Sequence, residues 1–192
     1  MTESVRSFVA VPLPETIQAS IFAAAQELAR ALPQAGIKWS RKVENLHITV
    51  KFLGQIEEEK LTALADDLAR TLAPLPRFPL ALRGMGAFPS PRKANVVWAG
   101  VEDVGRGLAA VAQAVEGVGE RFGVAREPRT FTGHVTVGRA KGRGVDARRA
   151  LDGFADRAFG ATTVEAVHVY ESRLGGEGST YVLRSRAALA SN

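Results

Sequence analysis

An order of elements that occurs twice limits the possible folds of this chain more than any other feature. Arg6 to Pro12 alternates as a β-strand and stops at a proline. Pro14 suits a first helical turn, and behind it Ile17, Ile21, Ala24, Leu28 and Leu32 recur at helical spacing. Leu46 to Phe52 reads as a second strand, after a short apolar piece at Ile37 to Trp39. Glu57 to Leu72 reads as a helix with Leu61, Leu64, Leu68 and Leu72 on one stripe. From Asn95 the order returns. A strand runs to Val101, and Leu108, Val111, Val115, Val118 and Phe122 mark a helix. A strand follows from His134 to Arg139, then a helix capped by Asp146 and carrying Leu151, Phe154 and Ala158. His134 follows His47 by 87 positions, and the first strands and the later helices are each offset by 89.

Prolines 74, 76, 79, 89 and 91 divide the middle of the chain into short extended pieces around Leu80, Leu82 and Phe88. At the end, Val164 to Ser172 and Ser179 to Arg186 read as strands joined at the turn Gly175-Gly176-Glu177-Gly178. Two copies are too few for a solenoid. They predict an α+β fold of two pseudo-symmetric lobes, each an antiparallel sheet backed by helices, with a central cleft between them. The 192 residues suit one bilobal domain, with an internal repeat of roughly 6–93 and 94–190.

Composition removes several classes of function. No cysteine is present, which excludes disulfides, thiolate metal sites and a cysteine nucleophile. No run approaches the roughly 18 apolar residues of a membrane span, and Met1 to Arg6 lacks the layout of a signal peptide. A cytoplasmic protein without membrane contact is expected, and nothing demands more than a monomer. Lys and Arg outnumber Asp and Glu by 25 to 20, an excess that suits a polyanion such as RNA and equally a solvated surface. The basic residues are densest at Arg126, Arg129, Arg139, Lys141, Arg143, Arg148 and Arg149.

The chemistry lies in Leu46-His47-Ile48-Thr49-Val50 and Gly133-His134-Val135-Thr136-Val137. Two of only three histidines are followed two places later by threonine. In a strand, side chains alternate, so His47 and Thr49 share one face while Leu46, Ile48 and Val50 take the other. The same holds for His134 and Thr136. Two such strands meeting across a two-fold would flank one small site with two imidazoles and floor it with two hydroxyls. Imidazole titrates near neutrality, so one ring can accept a proton while the other donates. Threonine hydroxyls can bind phosphoryl oxygens. Rival readings are structural histidines, a metal site, or an RNA-binding module without catalysis. Metal sites need three or four ligands, and no carboxylate forms a ligand motif around His47, His134 or His168. His168 reads as an ordinary strand residue. Trp39 and Trp98 suit either base stacking or a core, with the core favoured for Trp98. The glycines at 175, 176 and 178 join two strands and so do not form a phosphate loop.

These motifs resemble the two-histidine phosphoesterase superfamily, in particular its bacterial RNA 2′,3′-cyclic phosphodiesterases, formerly called 2′-5′ RNA ligases. The resemblance extends over nearly the whole chain. It runs through Arg6–Pro14, Glu44–Gly54, Phe88-Pro89, Val97–Val101, Phe131–Arg139, and Glu171-Ser172 with Tyr181. Gly133 and Gly138 depart from it, standing where proline and alanine are common. It implies that His47 is the general acid protonating the departing 3′ oxygen and His134 the general base for the attacking water. Thr49 and Thr136 would hold phosphate oxygens. Arg139 would be a further phosphate contact, sharing the face of Thr136 only if the strand ends or bulges. The implied substrate is RNA with 2′,3′-cyclic ends or a cyclic nucleotide, the product a 2′-phosphate, with no metal or other cofactor. Reversible 2′-5′ ligation, or action on another small cyclic phosphate, uses the same residues.

Overall fold

A computed structural model of the chain describes residues 3–33, 36–176 and 178–191. Strands β1 (Ser4–Pro12), β2 (Ile37–Trp39), β3 (His47–Glu57), β4 (Phe78–Ser90) and β5 (Lys93–Glu102) come first. Strands β6 (His134–Ala140), β7 (Ala158–Val164), β8 (Ala166–Gly175) and β9 (Gly178–Ala188) follow. Four helices intervene: α1 (Glu15–Ala31), α2 (Glu58–Leu72), α3 (Gly107–Arg121) and the short α4 (Arg148–Asp152). Among the described residues no helix is long and apolar enough to cross a membrane.

The strands form one sheet in the order β7-β4-β5-β6-β3-β1-β8-β9, and every pairing between them is antiparallel. Strands related by the sequence repeat stand at equal distances on either side of the centre: β3 with β6, β1 with β5, and β8 with β4. At its centre the two lobes are joined by a single pairing, Ile48 with Val135. The leucine stripe of α2 and Ile17, Ile21, Ala24 and Leu28 of α1 are buried, as their spacing requires, whereas Leu32 lies just past the end of α1 and is only partly buried. The helices do not stay with the strands that precede them. Helix α1 packs beneath β6 and β7, whereas α3 packs beneath β3. A buried ion pair, Lys51 Nζ to Glu116 Oε2 at 2.7 Å, fastens β3 to α3.

Two expectations need correction. The proline-rich stretch is not a set of short pieces but the continuous 13-residue strand β4. Its prolines sit where only one neighbour pairs. Pro79 lies before the pairing with β5 begins at Ala81, and Pro89 lies beyond the last pair with β7 at Arg83. An imide without an N–H therefore breaks no ladder. The helix expected beyond Asp146 lasts only from Arg148 to Asp152. Asp146 Oδ1 does accept from the N–H of Arg148, but Phe154 lies in a turn and Ala158 already opens β7, a strand the apolar pattern did not reveal. The terminal hairpin turns between Gly175 and Gly178, and Glu177 of that turn lies outside the described residues.

Candidate active site

Alternation along β3 buries Ile48 completely and leaves His47 and Thr49 on the opposite, cleft-facing side. Val135 is likewise buried on β6, with His134 and Thr136 facing the cleft. Ile48 opposes Val135. By antiparallel alternation about that pair, the two imidazoles fall on one diagonal of the junction and the two hydroxyls on the other.

Each imidazole is held in the same way. His47 Nδ1 bonds the carbonyl of Asn45 at 2.8 Å, and His134 Nδ1 bonds the carbonyl of Thr132 at 2.8 Å. A carbonyl only accepts, so Nδ1 carries the proton in both neutral rings and Nε2 is the basic nitrogen. The Thr49 hydroxyl lies 3.0 Å from His47 Nε2 and donates to it.

The rings differ in their surroundings. Phe8 stacks on His47 with centroids 4.9 Å apart, and Tyr181 meets it edge-on at 5.3 Å. Burial among these rings pushes the pKa of His47 down to about 4, opposed by the bond to Asn45. His134 touches the edge of Phe88 at 5.1 Å and is less enclosed. Its pKa is also lowered, chiefly by burial, with a further contribution from the Arg139 cation.

Arg139 reaches the cleft because β6 bulges. Val97 pairs with Gly138 but Trp98 pairs with Thr136, so Val137 is the extra residue and the alternation resets. Arg139 thus shares the face of Thr136 despite its odd spacing. The same bulge occurs in β3 at Val50, because Val9 pairs with Lys51 and Ala10 with Thr49. It turns Lys51 inward and places Phe52, the counterpart of Arg139, on the cleft face with 59% of its surface exposed.

A groove of about 710 Å³ gathers His47, Thr49, Thr136 and Arg139 along one wall. His134 lies on the same face as Thr136, but it is not among the residues lining this groove. Arg6, Lys38, Arg41 and Lys42 also line it, and among the described residues no carboxylate does. A smaller cavity of about 210 Å³ lies against His47, where Asn45, Tyr170 and Tyr181 form part of its wall. Asn45 Nδ2 donates to the Ser179 carbonyl at 2.8 Å, so the loop before β3 is tied to the terminal hairpin.

Other sequence candidates fall elsewhere. His168 sits on β8, its Nδ1 2.9 Å from the Tyr170 hydroxyl, apart from the diagonal of imidazoles. Trp39 is the exception: it lies partly buried over Gly138, where a Cβ would come within 2.9 Å of the indole, and it also lines the groove. At Gly133 a Cβ would meet Leu108 at 2.7 Å, so both departures from the motif make room for neighbouring apolar side chains. Most of the dense basic stretch lies outside the groove. Arg126 pairs with Glu120, Arg129 with Glu127, and Arg148 with Asp146; only Arg139 of that stretch lines the groove. Among the described residues no group of three or more His, Asp or Glu is placed to hold a metal ion. Lys38 and the aromatic cage of Phe8 and Tyr181 were missed at the sequence level. Phe8 and Tyr181 stood inside the motif-like segments, but their convergence on His47 depends on sheet order.

Comparison with known proteins finds relatives of one kind along nearly the whole chain. The family described as LigT-like phosphoesterase matches residues 11–98. The RNA 2′,3′-cyclic phosphodiesterase of Archaeoglobus fulgidus is 33% identical over 177 residues, 92% of this chain and 96% of that protein. The protein of that name in Methanothermobacter thermautotrophicus is 35% identical over 185 residues, 92% of this chain and 95% of its own. Among solved structures, Escherichia coli LigT without ligand superposes with a TM-score of 0.74 at 28% identity, covering 98% of this chain and 99% of its own. LigT crystallised with 3′-AMP gives 0.75 at 27% identity, covering 97% and 99%.

Proposed function

Since the chain belongs to the LigT-like phosphoesterase family, we propose that it hydrolyses 2′,3′-cyclic phosphates on RNA or nucleotides, with His47 and His134 as the proton-transferring pair. The observation that supports this reading is the Ile48–Val135 pairing, which joins two strands that each carry a histidine and a threonine on the same side, with both Nδ1 atoms held by backbone carbonyls. In the reaction, His134 Nε2 takes a proton from water as the water oxygen bonds to phosphorus. The bond from phosphorus to the 3′ oxygen breaks on the opposite side, and His47 Nε2–H protonates that oxygen. A 2′-phosphate and a free 3′-hydroxyl result. Thr49, Thr136 and Arg139 hold the non-bridging oxygens as charge builds on them.

A donor whose pKa rests at about 4 is neutral near pH 7 when the site is empty. The phosphodiester anion supplies the missing counter-charge, because an opposite charge beside a buried imidazole favours its protonated form. Proton uptake by His47 is thereby coupled to substrate binding, and its bond to Thr49 opens to release Nε2 toward the leaving oxygen. Imidazoles perform both proton transfers, so a chelator leaves turnover unchanged. With a 5′-hydroxyl in place of water, the same displacement of the 3′ oxygen joins two RNA ends by a 2′-5′ bond, a minor path against the concentration of water.

The test is product analysis on an oligonucleotide with a 2′,3′-cyclic end, reporting turnover and the oxygen that keeps the phosphorus. A 2′-phosphate formed in the presence of chelator is expected. Absence of turnover, with RNA binding retained, would instead assign a binding module.

A further inference from the structure

The established likeness explains the phosphate site but not the cations beside it. Strand β2 pairs with β6 past the point where β3 leaves it, and in that pairing Lys38 lies directly opposite Arg139. Directly opposed residues of an antiparallel pair share a face, and two like charges so placed disfavour the pairing. Arg41 follows on the same wall, and among the described residues no carboxylate lines the groove to offset these charges. Lys42 turns the other way, its Nζ donating to the Thr180 hydroxyl of β9 at 3.2 Å. Elsewhere on this surface exposed arginines do have carboxylate partners, as with Arg126 and Glu120 or Arg157 and Glu27. The arm of the groove toward β2 thus concentrates Lys38, Arg41 and Arg139, whereas among the described residues the arm toward Phe52 and Gly54 holds Arg6 alone.

We propose that the β2 arm, through Lys38 and Arg41, binds the phosphodiester backbone of an RNA strand on the 5′ side of its cyclic end. This rests on the function proposed above and extends it from the terminal phosphate to the chain attached to it. A 2′,3′-cyclic phosphate closes the 3′ end of RNA, so all further nucleotides lie to its 5′ side and need one exit from the site. The β2 arm begins at Thr136 and carries the charge to accompany an anionic chain. The favoured substrate is then an oligonucleotide rather than a mononucleotide.

The experiment measures KM and kcat on 2′,3′-cyclic CMP and on cytidine oligomers of two, four and eight nucleotides with the same end. It uses the wild-type protein and a Lys38→Thr/Arg41→Ala variant, both at several salt concentrations. Lys38 and Arg41 are exposed, and matching thermal unfolding curves would establish that the variant folds. For the wild type, KM is expected to fall about tenfold or more between monomer and octamer. The variant should lose that gain yet keep wild-type kcat/KM on cyclic CMP. The slope of log KM for the octamer against log salt should drop by about 0.7 for each cation removed. A KM independent of length, or equal losses on monomer and octamer, would overturn the proposal while leaving cyclic phosphodiesterase activity intact. No turnover of any substrate by the wild type would instead remove the functional reading beneath it. An unfolded variant shifts the decision to the wild-type length series, which is sufficient alone.

Discussion

The two half-sites begin from the same local design and end in different environments. In both, a histidine opens a strand, ties Nδ1 to a carbonyl two residues back, and precedes a threonine and a bulged valine. Beyond that point the contents diverge. The first half seals its imidazole between Phe8 and Tyr181 and gives Nε2 a hydroxyl partner; the second leaves its imidazole against one phenyl edge with an arginine nearby. After the bulge the first half exposes Phe52 and buries Lys51, whereas the second presents Arg139 and needs Gly138. A repeated backbone thus fixes where the groups stand, and the unrepeated side chains around them set which proton each ring holds.

The largest expected effect tests whether both halves are needed at all. His47→Ala and His134→Ala should each lower kcat at least 10²-fold, measured as 2′-phosphate formation. Full activity in either variant would dissolve the pairing. The threonines should separate more sharply. Thr49 both binds His47 and faces the substrate, so Thr49→Val should cost about 100-fold in kcat. Thr136→Val, whose hydroxyl faces only the substrate, should cost about tenfold, within the range for a lost hydrogen bond to a charged group. Equal losses would make the half-sites equivalent.

A smaller effect concerns pH. The base must be unprotonated and the acid protonated, so kcat/KM should trace a bell with both limbs below pH 6.5, read from the free protein. For kcat the optimum should lie higher, because bound phosphate raises the pKa of His47. Arg139→Ala removes a cation that lowers the pKa of His134, so the upper limb of kcat/KM should move to higher pH. A fixed upper limb would show that Arg139 does not act on that ring.

The last effect is on stability. His47 has a pKa near 6.5 when unfolded and about 4 when folded. Between those values the unfolded chain binds the extra proton, so stability is full above pH 6.5 and declines as pH falls toward 4. The contribution is on the order of 3 kcal/mol. In denaturant titrations, wild type should therefore lose that much stability relative to His47→Gln as the pH is lowered through this window. Parallel curves would place His47 in a more open setting than Phe8 and Tyr181 provide.

Much of this was legible in the chain before any coordinates. The helical stripes ending at Leu28 and Leu72 and the face shared by His47 and Thr49 follow from periods of 3.6 and 2, which are local properties. What escaped was non-local. The bulges at Val50 and Val137 exist only relative to β1 and β5, so the inward turn of Lys51 and the exposure of Phe52 have no signature in β3 itself. The continuity of β4 through Pro79 and Pro89 depends on which neighbour is missing at each proline. Charge density along the sequence pointed to Arg126, Arg129 and Arg148, each of which has a carboxylate partner nearby. Lys38 matters through its place across from Arg139, a relation spanning 101 positions.

The crossing of α1 under β6 and β7, and of α3 under β3, has a bearing on descent. A polypeptide of half this length would part each of these helices from the strands it covers. Two copies could restore the cover by exchanging helices, and a single site, with one histidine from each, would then lie on the two-fold between them.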